Sequence, residues 1–232
     1  MKWILKCPWR IRGALLFVLG FCFFGAASSL ALSEKGPGLE EALQRAAAAP
    51  RNFEAQAALA RAYNFEGEYG KAASAAREAL LLKPGHPPAL LELGHASRSR
   101  GNHRHAVECY RRYLSACPSS QEGLAGCSES LAFLGQWDES FGCAMAAIRL
   151  YPGNASGYGA LGRAYRISGR VDEALEILQK GLLLPGDAAP LLFDLGACFA
   201  EKGNRVAALE QYARLADMDP MAAGKLFRLI GP

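Results

Sequence analysis

The sequence predicts an all-α protein in which antiparallel helical hairpins stack into an open solenoid, and three observations carry that expectation. Gly67, Gly101, Gly135, Gly169 and Gly203 stand 34 residues apart along the chain. On either side of each glycine, apolar and small residues recur at steps of three and four, the spacing that returns to one face of a helix. Small residues at one fixed offset (Ala72, Ala106, Ser140, Ala174, Ala208) and prolines at another (Pro84, Pro118, Pro152, Pro220) keep the same register, with the fourth unit's proline one residue early at Pro185. A hairpin of this size cannot bury its own apolar stripe, so each unit needs neighbours of its own kind.

Residues 155–188 show the unit most clearly. Tyr158, Leu161, Gly162 and Tyr165 form the stripe of a first helix, Gly169 interrupts it, and Ala174, Leu178 and Gly181 form the stripe of a second helix that Pro185-Gly186 ends. The run Tyr158-x-x-Leu161-Gly162-x-x-Tyr165 recurs as Leu192-x-x-Leu195-Gly196-x-x-Phe199, followed by Ala208-x-x-x-Tyr212 and Pro220. This pattern resembles the tetratricopeptide repeat. The resemblance implies a right-handed superhelical solenoid with five repeats, at residues 53–86, 87–120, 121–154, 155–188 and 189–222. The third repeat departs furthest, with Cys127, Ser128 and Leu131 in place of Leu, Gly and Tyr, while Gly135, Trp137 and Pro152 keep its frame.

The flanks complete the stack. Residues 39–50 read as a half-repeat helix closed by Pro50, with Glu40, Glu41, Gln44 and Arg45 giving an end cap its polar face. Residues 223–232 form the opposite cap, overlapping an amphipathic helix from Met221 to Ile230 that carries Leu226, Leu229 and Ile230. Ahead of a polar linker at 33–38, residues 1–32 read as an export segment. Lys2, Lys6, Arg10 and Arg12 precede an uncharged stretch from Gly13 to Leu32, a bias that places the repeats outside the cytoplasm, in the periplasm of a bacterium. Its densest apolar run, Ala14 to Phe24, has the length of a signal-peptide core, and Ser29-Leu30-Ala31 offers small residues for cleavage after Ala31. Retention of the uncharged stretch as a membrane anchor is the alternative.

Those four bases account for the whole net charge of +4, so the repeats are neutral overall. They lack the basic excess on which nucleic-acid affinity rests. Gly157-x-Gly159-x-x-Gly162 spells the dinucleotide fingerprint but lies inside a helix with no strand before it, so no cofactor is assigned. His86, His95, His103 and His105 fall close together, and His105 with Cys109 makes an i, i+4 pair. Against a metal, His103 and His105 open a helix at positions expected to be solvated, and no further ligand stands at a suitable spacing. Metal binding by His103, His105 and Cys109 is the lesser alternative. A Cys117 to Cys127 bridge stays open, whereas Cys109 and Cys143, one repeat apart, are separated by roughly 10 Å and do not reach. Asn154-Ala155-Ser156 is a glycosylation sequon at a repeat junction. No catalytic motif is present, so neither enzyme activity nor a catalytic residue is assigned.

What the repeats offer is a surface. The core stripe of each first helix uses offsets 4, 7, 8 and 11 of the repeat, which leaves offsets 2, 5, 9, 12 and 13 facing elsewhere. The resemblance implies that these line a concave groove receiving an extended peptide or a partner's helix. Carried onto this chain, the groove shows Glu54, Arg61, Asn64 and Phe65; then Leu91, His95 and Arg98; then Glu122, Glu129 and Phe133; then Arg163, Arg166 and Ile167; then Phe193 and Glu201. Arginine forks onto carboxylates and aromatics give contact area, so a protein partner with acidic and apolar side chains is expected. The family's clamp for acidic chaperone tails is missing, its offsets carrying Ala57, Arg61, Glu92, Glu122 and Gly126. The reading is a non-enzymatic adaptor outside the cytoplasm that serves the assembly of an envelope complex, with an anchored structural subunit as the alternative. On this reading, changing Arg163 and Arg166 together to Glu weakens partner capture and leaves helical content intact.

Overall fold

All five glycines at the 34-residue spacing adopt positive φ, between 73° and 81°, a region open to glycine and costly to other residues. Each closes a first helix in the same way. At Gly169 the N–H bonds to the carbonyl oxygen of Arg166 at 3.0 Å, and the next N–H, of Arg170, reaches back to Tyr165 at 2.9 Å. That pair of bonds satisfies the last carbonyls of the helix and turns the chain into its partner helix.

The computed structural model describes residues 38–231, so the expected export segment and most of the linker lie outside the described residues. Among the described residues there are twelve helices and no strand. A single helix, α1 (Leu39–Ala48), precedes five hairpins, and α12 (Pro220–Ile230) follows them. The hairpins pair α2 (Phe53–Phe65) with α3 (Tyr69–Leu82), α4 (Pro87–Ser99) with α5 (His103–Ala116), and α6 (Gln121–Phe133) with α7 (Trp137–Leu150). Then α8 (Ala155–Ile167) pairs with α9 (Val171–Leu182), and α10 (Ala188–Glu201) with α11 (Arg205–Ala216). Each first helix packs on its own second helix and on the first helix of the next hairpin.

Local chemistry explains where these helices start. Asn52, Ser120, Asn154 and Asp187 accept backbone N–H bonds at the N-termini of α2, α6, α8 and α10. His86 makes no such bond, and α4 instead begins with Pro87, whose fixed φ suits a first turn. Two second helices, α9 and α11, are two residues short of the fourteen that α3, α5 and α7 each span.

The interior is built from small residues meeting large ones. Ala72, Ala106, Ser140, Ala174 and Ala208 are all fully buried on the second helices. Opposite, glycines admit bulky side chains: a Cβ on Gly162 would fall 2.5 Å from Leu178 Cγ, and one on Gly196 would fall 2.6 Å from Leu226 Cδ2. The Gly157, Gly159 and Gly162 of the dinucleotide-like motif are thus packing glycines inside α8, set against Ile148, Leu191 and Leu178. The third hairpin replaces the small apolar pair with Ser128 and Ser140, and buried hydroxyls need partners. Ser140 Oγ donates to the Ser128 carbonyl at 2.8 Å and lies 3.3 Å from Ser128 Oγ.

Both ends are covered, with one difference from expectation. In α1, Ala42 and Ala46 are buried against α2 while Glu40, Glu41, Gln44 and Arg45 face solvent. In α12, Leu226 is fully buried, but Leu229, expected to cover the last stripe, is exposed. The helix turns only its Ala223–Leu226 side onto α10 and α11.

Two alanine substitutions separate the two roles of glycine. Gly162→Ala is expected to cost about 1–3 kcal/mol by overpacking Leu178, and Gly169→Ala about 1 kcal/mol through its left-handed backbone. Urea unfolding followed by helical circular dichroism gives both values, and an unchanged midpoint for either variant would refute the role assigned to it.

Candidate partner-binding groove

Because the repeats stack in register, residues about one repeat apart on the first helices come into contact. Charged residues there form a chain of ion pairs running from α4 to α10. Arg98 Nη1 donates to Glu129 Oε2 at 2.8 Å, and Glu129 Oε1 receives Arg163 Nη1 at 2.6 Å. Arg163 Nη2 reaches Asp194 Oδ2 at 2.7 Å, Arg166 reaches Asp194 Oδ1 at 3.2 Å, and Arg166 Nη1 reaches Glu201 at 2.9 Å. Three guanidiniums meet three carboxylates, so this part of the face is electrically closed. A second, neutral-to-acidic link lies toward α2. The Asn64 amide donates to the Glu92 carbonyl at 2.9 Å and to its carboxylate at 2.8 Å, while His95 stands 3.9 Å from Glu92 and 3.6 Å from Glu122.

Burial gives the chain its weight. The Asp194 side chain is 1% exposed and that of Arg163 20%. Burial alone would raise the Glu129 carboxyl, but the Arg163 and Arg98 guanidiniums outweigh it and hold it below its ordinary value. Burial likewise opposes the charge on Arg163, and Glu129 with Asp194 reverses that effect and raises it.

These contacts sort the residues that the sequence assigned to a groove. Arg98, Glu129, Arg163 and Arg166 share one network across the first helices, with Glu201 at its end, while Asn64 and His95 meet at Glu92 in a separate link. Arg61 is exposed. Phe65 is 84% exposed and Phe133 53%, so both present aromatic surface. Leu91 and Phe193 are half-buried instead, Leu91 against the Val107–Tyr110 cluster and Phe193 against the Leu192–Leu215 cluster. Ile167 is also half-buried. Sequence reasoning missed Glu92 and Asp194, both at offset 6, yet Asp194 lies seven residues before Glu201, two turns earlier on the same face.

Two expectations need correction. His103 and His105 are not solvated: His103 stacks on Phe133 with ring centroids 4.4 Å apart and planes 8° from parallel, and His105 Nδ1 lies 2.9 Å from Ser97 Oγ. Burial, and then the charge of Arg98, lower the His103 pKa and favour the neutral ring. The two rings diverge, and no metal-holding cluster of three occurs among the described residues. Charge reversal at Arg163 and Arg166, expected to spare the fold, would set new carboxylates against Asp194 and Glu129. Loss of a partner from a largely buried pair costs on the order of 3 kcal/mol, so that double variant is expected to unfold at lower denaturant concentration.

Among the described residues Cys109, Cys127 and Cys198 are buried and Cys117 and Cys143 half-buried. All five in the described residues are free, and burial pushes the Cys109 thiol up to about 11 and the Cys198 thiol up to about 12. Cys127 and Cys143 pack together across the third hairpin, a pairing the spacing did not suggest. Asn154 of the sequon caps α8 through its side-chain oxygen, 2.9 Å from the Ser156 N–H.

The family model for the tetratricopeptide repeat matches residues 58–121 and 129–191. A thermophilic TPR protein of Thermus thermophilus is similar in structure with a TM-score of 0.69 at 21% identity, over 77% of this chain and 99% of that one. A tetratricopeptide repeat protein of Parabacteroides merdae gives 0.72 at 19% identity, over 84% and 77% of the two chains. YrrB, described as a TPR protein with an unusual peptide-binding site, gives 0.53 at 19% identity, over 81% and 98%. No curated protein matches the chain.

Glu129 makes a direct test of the ion-pair chain. Its lowered carboxyl contributes stability that is present above the unfolded value of about 4.5 and is lost as pH falls through the folded value. The stability gap between the parent and Glu129→Gln, from urea unfolding, is expected to be widest at neutral pH and to shrink below about pH 4.5. A gap independent of pH would deny the carboxylate its role.

Proposed function

The chain belongs to the tetratricopeptide repeat family, and on that premise we propose that it is a non-enzymatic scaffold whose first helices hold an extended peptide or helix of another protein. The observation that carries this reading is the concave side itself. An open hollow of about 790 Å³ lies among residues of the first helices, and Phe65, almost fully exposed, stands at its rim. Exposed aromatics beside a hollow are the residues that most often anchor a protein partner. The peptide-binding site described for YrrB supports the same use of this fold.

The repeats are proposed to work outside the cytoplasm, in the assembly of an envelope complex. The support is the order of the first 32 residues, four bases and then a long uncharged stretch. Removal of residues 1–31 gives a free adaptor, and their retention gives an anchored subunit. The mass of the mature chain distinguishes the two.

Photo-crosslinking tests the groove. A photoreactive residue at Phe65 or Phe133 is expected to capture a protein partner from native membranes or periplasm. The same residue at Leu81, which is exposed on the second helix α3, is expected to capture none. Capture from Leu81 alone would move the binding face to the other side of the solenoid.

A further inference from the structure

The hollow over α4 and α6 is unbalanced in charge. Among its lining residues Arg98 is the one cation, and its Nη1 is already committed to Glu129 at 2.8 Å. Glu129, Glu122 and Asp187 line the same space, three carboxylates against one guanidinium. Glu129 is spent on Arg98 and Arg163, but the Glu122 side chain is 64% exposed and meets only His95. Glu92 lies behind His95 and adds a further negative charge from below.

The floor gives an independent sign of a ligand. Tyr110, from α5, is fully buried, and its ring passes between two glycines: a Cβ would come within 2.8 Å of it at Gly94 and 2.5 Å at Gly126. The hydroxyl ends under Gly126, which lines the hollow, and it has no hydrogen-bond partner. It stands near the Arg98 guanidinium without an aligned bond to it. A phenylalanine would fill the same space but take the one oxygen away from the Arg98 guanidinium, whose Nε is likewise unpaired, so the hydroxyl is a polar feature beside the hollow that apolar packing does not require.

We infer that this hollow seats a lysine or arginine side chain of an extended partner peptide, with an apolar neighbour lying on Phe65. The inference rests on the groove reading above and adds the charge of the occupant. A cation supplies what the lining lacks, and in a concave site its attraction is focused. Glu122 and Asp187 offer carboxylate oxygens at the walls, above the buried Tyr110 hydroxyl. The stem of a long basic side chain can cover Phe65 while its head stays among these acceptors. An acidic partner, expected when the arginines were counted as free, meets a face on which those arginines are already paired.

Panning a display library of random short peptides on the full chain tests this. Three proteins are compared: the parent, the double variant Glu122→Gln with Asp187→Asn, and Phe65→Ala. The amides keep size and hydrogen bonding, including the cap of α10. Peptides enriched on the parent are expected to be rich in lysine and arginine beside apolar residues, to weaken with added salt, and to bind the amide variant roughly tenfold less tightly. Basic peptides indifferent to the amide variant overturn the cation seat. Acidic or neutral peptides that still need Phe65 also overturn it, and leave the groove reading standing. Peptides indifferent to Phe65, or no enrichment at all, overturn both.

Discussion

The left-handed glycine after each first helix is the constraint on which the rest depends. It fixes the turn by which a hairpin closes, and because the same turn recurs at a constant interval it also fixes how one hairpin lies on the next. Only with that constancy do side chains 28, 31 or 35 residues apart meet as ion partners along the first helices. The contacts that close a hairpin are mainly apolar, such as Leu178 against Gly162. The ion pairs along the first helices cross repeat boundaries, so they bear on the angle between repeats more than on whether a repeat forms.

Most of the fold was legible because it rests on residues with few substitutes. A glycine at positive φ, a small residue facing a large one, and a proline that ends a helix all declare themselves at a fixed interval. The third repeat kept its place through Gly135, and its two serines bond to one another where the pattern would pair small apolar groups. The face of the groove was less legible. Leu91 and Phe193 sit three residues before Gly94 and Gly196, close enough in angle to the core stripe to be drawn partly into it. Asp194 was missed because a carboxylate at a nearly inaccessible position makes sense only once Arg163 and Arg166 are known to converge on it. Tyr110 was missed for a related reason. It belongs to a second helix, and nothing in its spacing shows that two glycines let its hydroxyl reach the opposite side.

Pairing changes what the charged residues can do. Counted along the sequence, Arg98, Arg163 and Arg166 make the middle of the groove basic. Placed in space, each is held by a carboxylate of a neighbouring repeat, and a partner's acid would have to displace a partly buried one to reach them. Displacement exchanges one ion pair for another of similar strength and leaves a carboxylate without a partner, so it gains little. On the proposed reading, selectivity then passes to groups outside the closed network, namely Phe65, Phe133, Glu122 and the capping Asp187.

The same chain of pairs links stability to shape. Apolar contacts stack hairpins over a range of angles with similar burial, whereas a guanidinium shared between two carboxylates is satisfied over a narrow one. Glu129 is the member shared by α4 and α8 through α6, so its two arginines tie three successive first helices together. Protonating it releases Arg98 and leaves Arg163 held by Asp194 alone. The angles between the second, third and fourth hairpins are therefore tied in part to this one carboxylate, which lines the hollow.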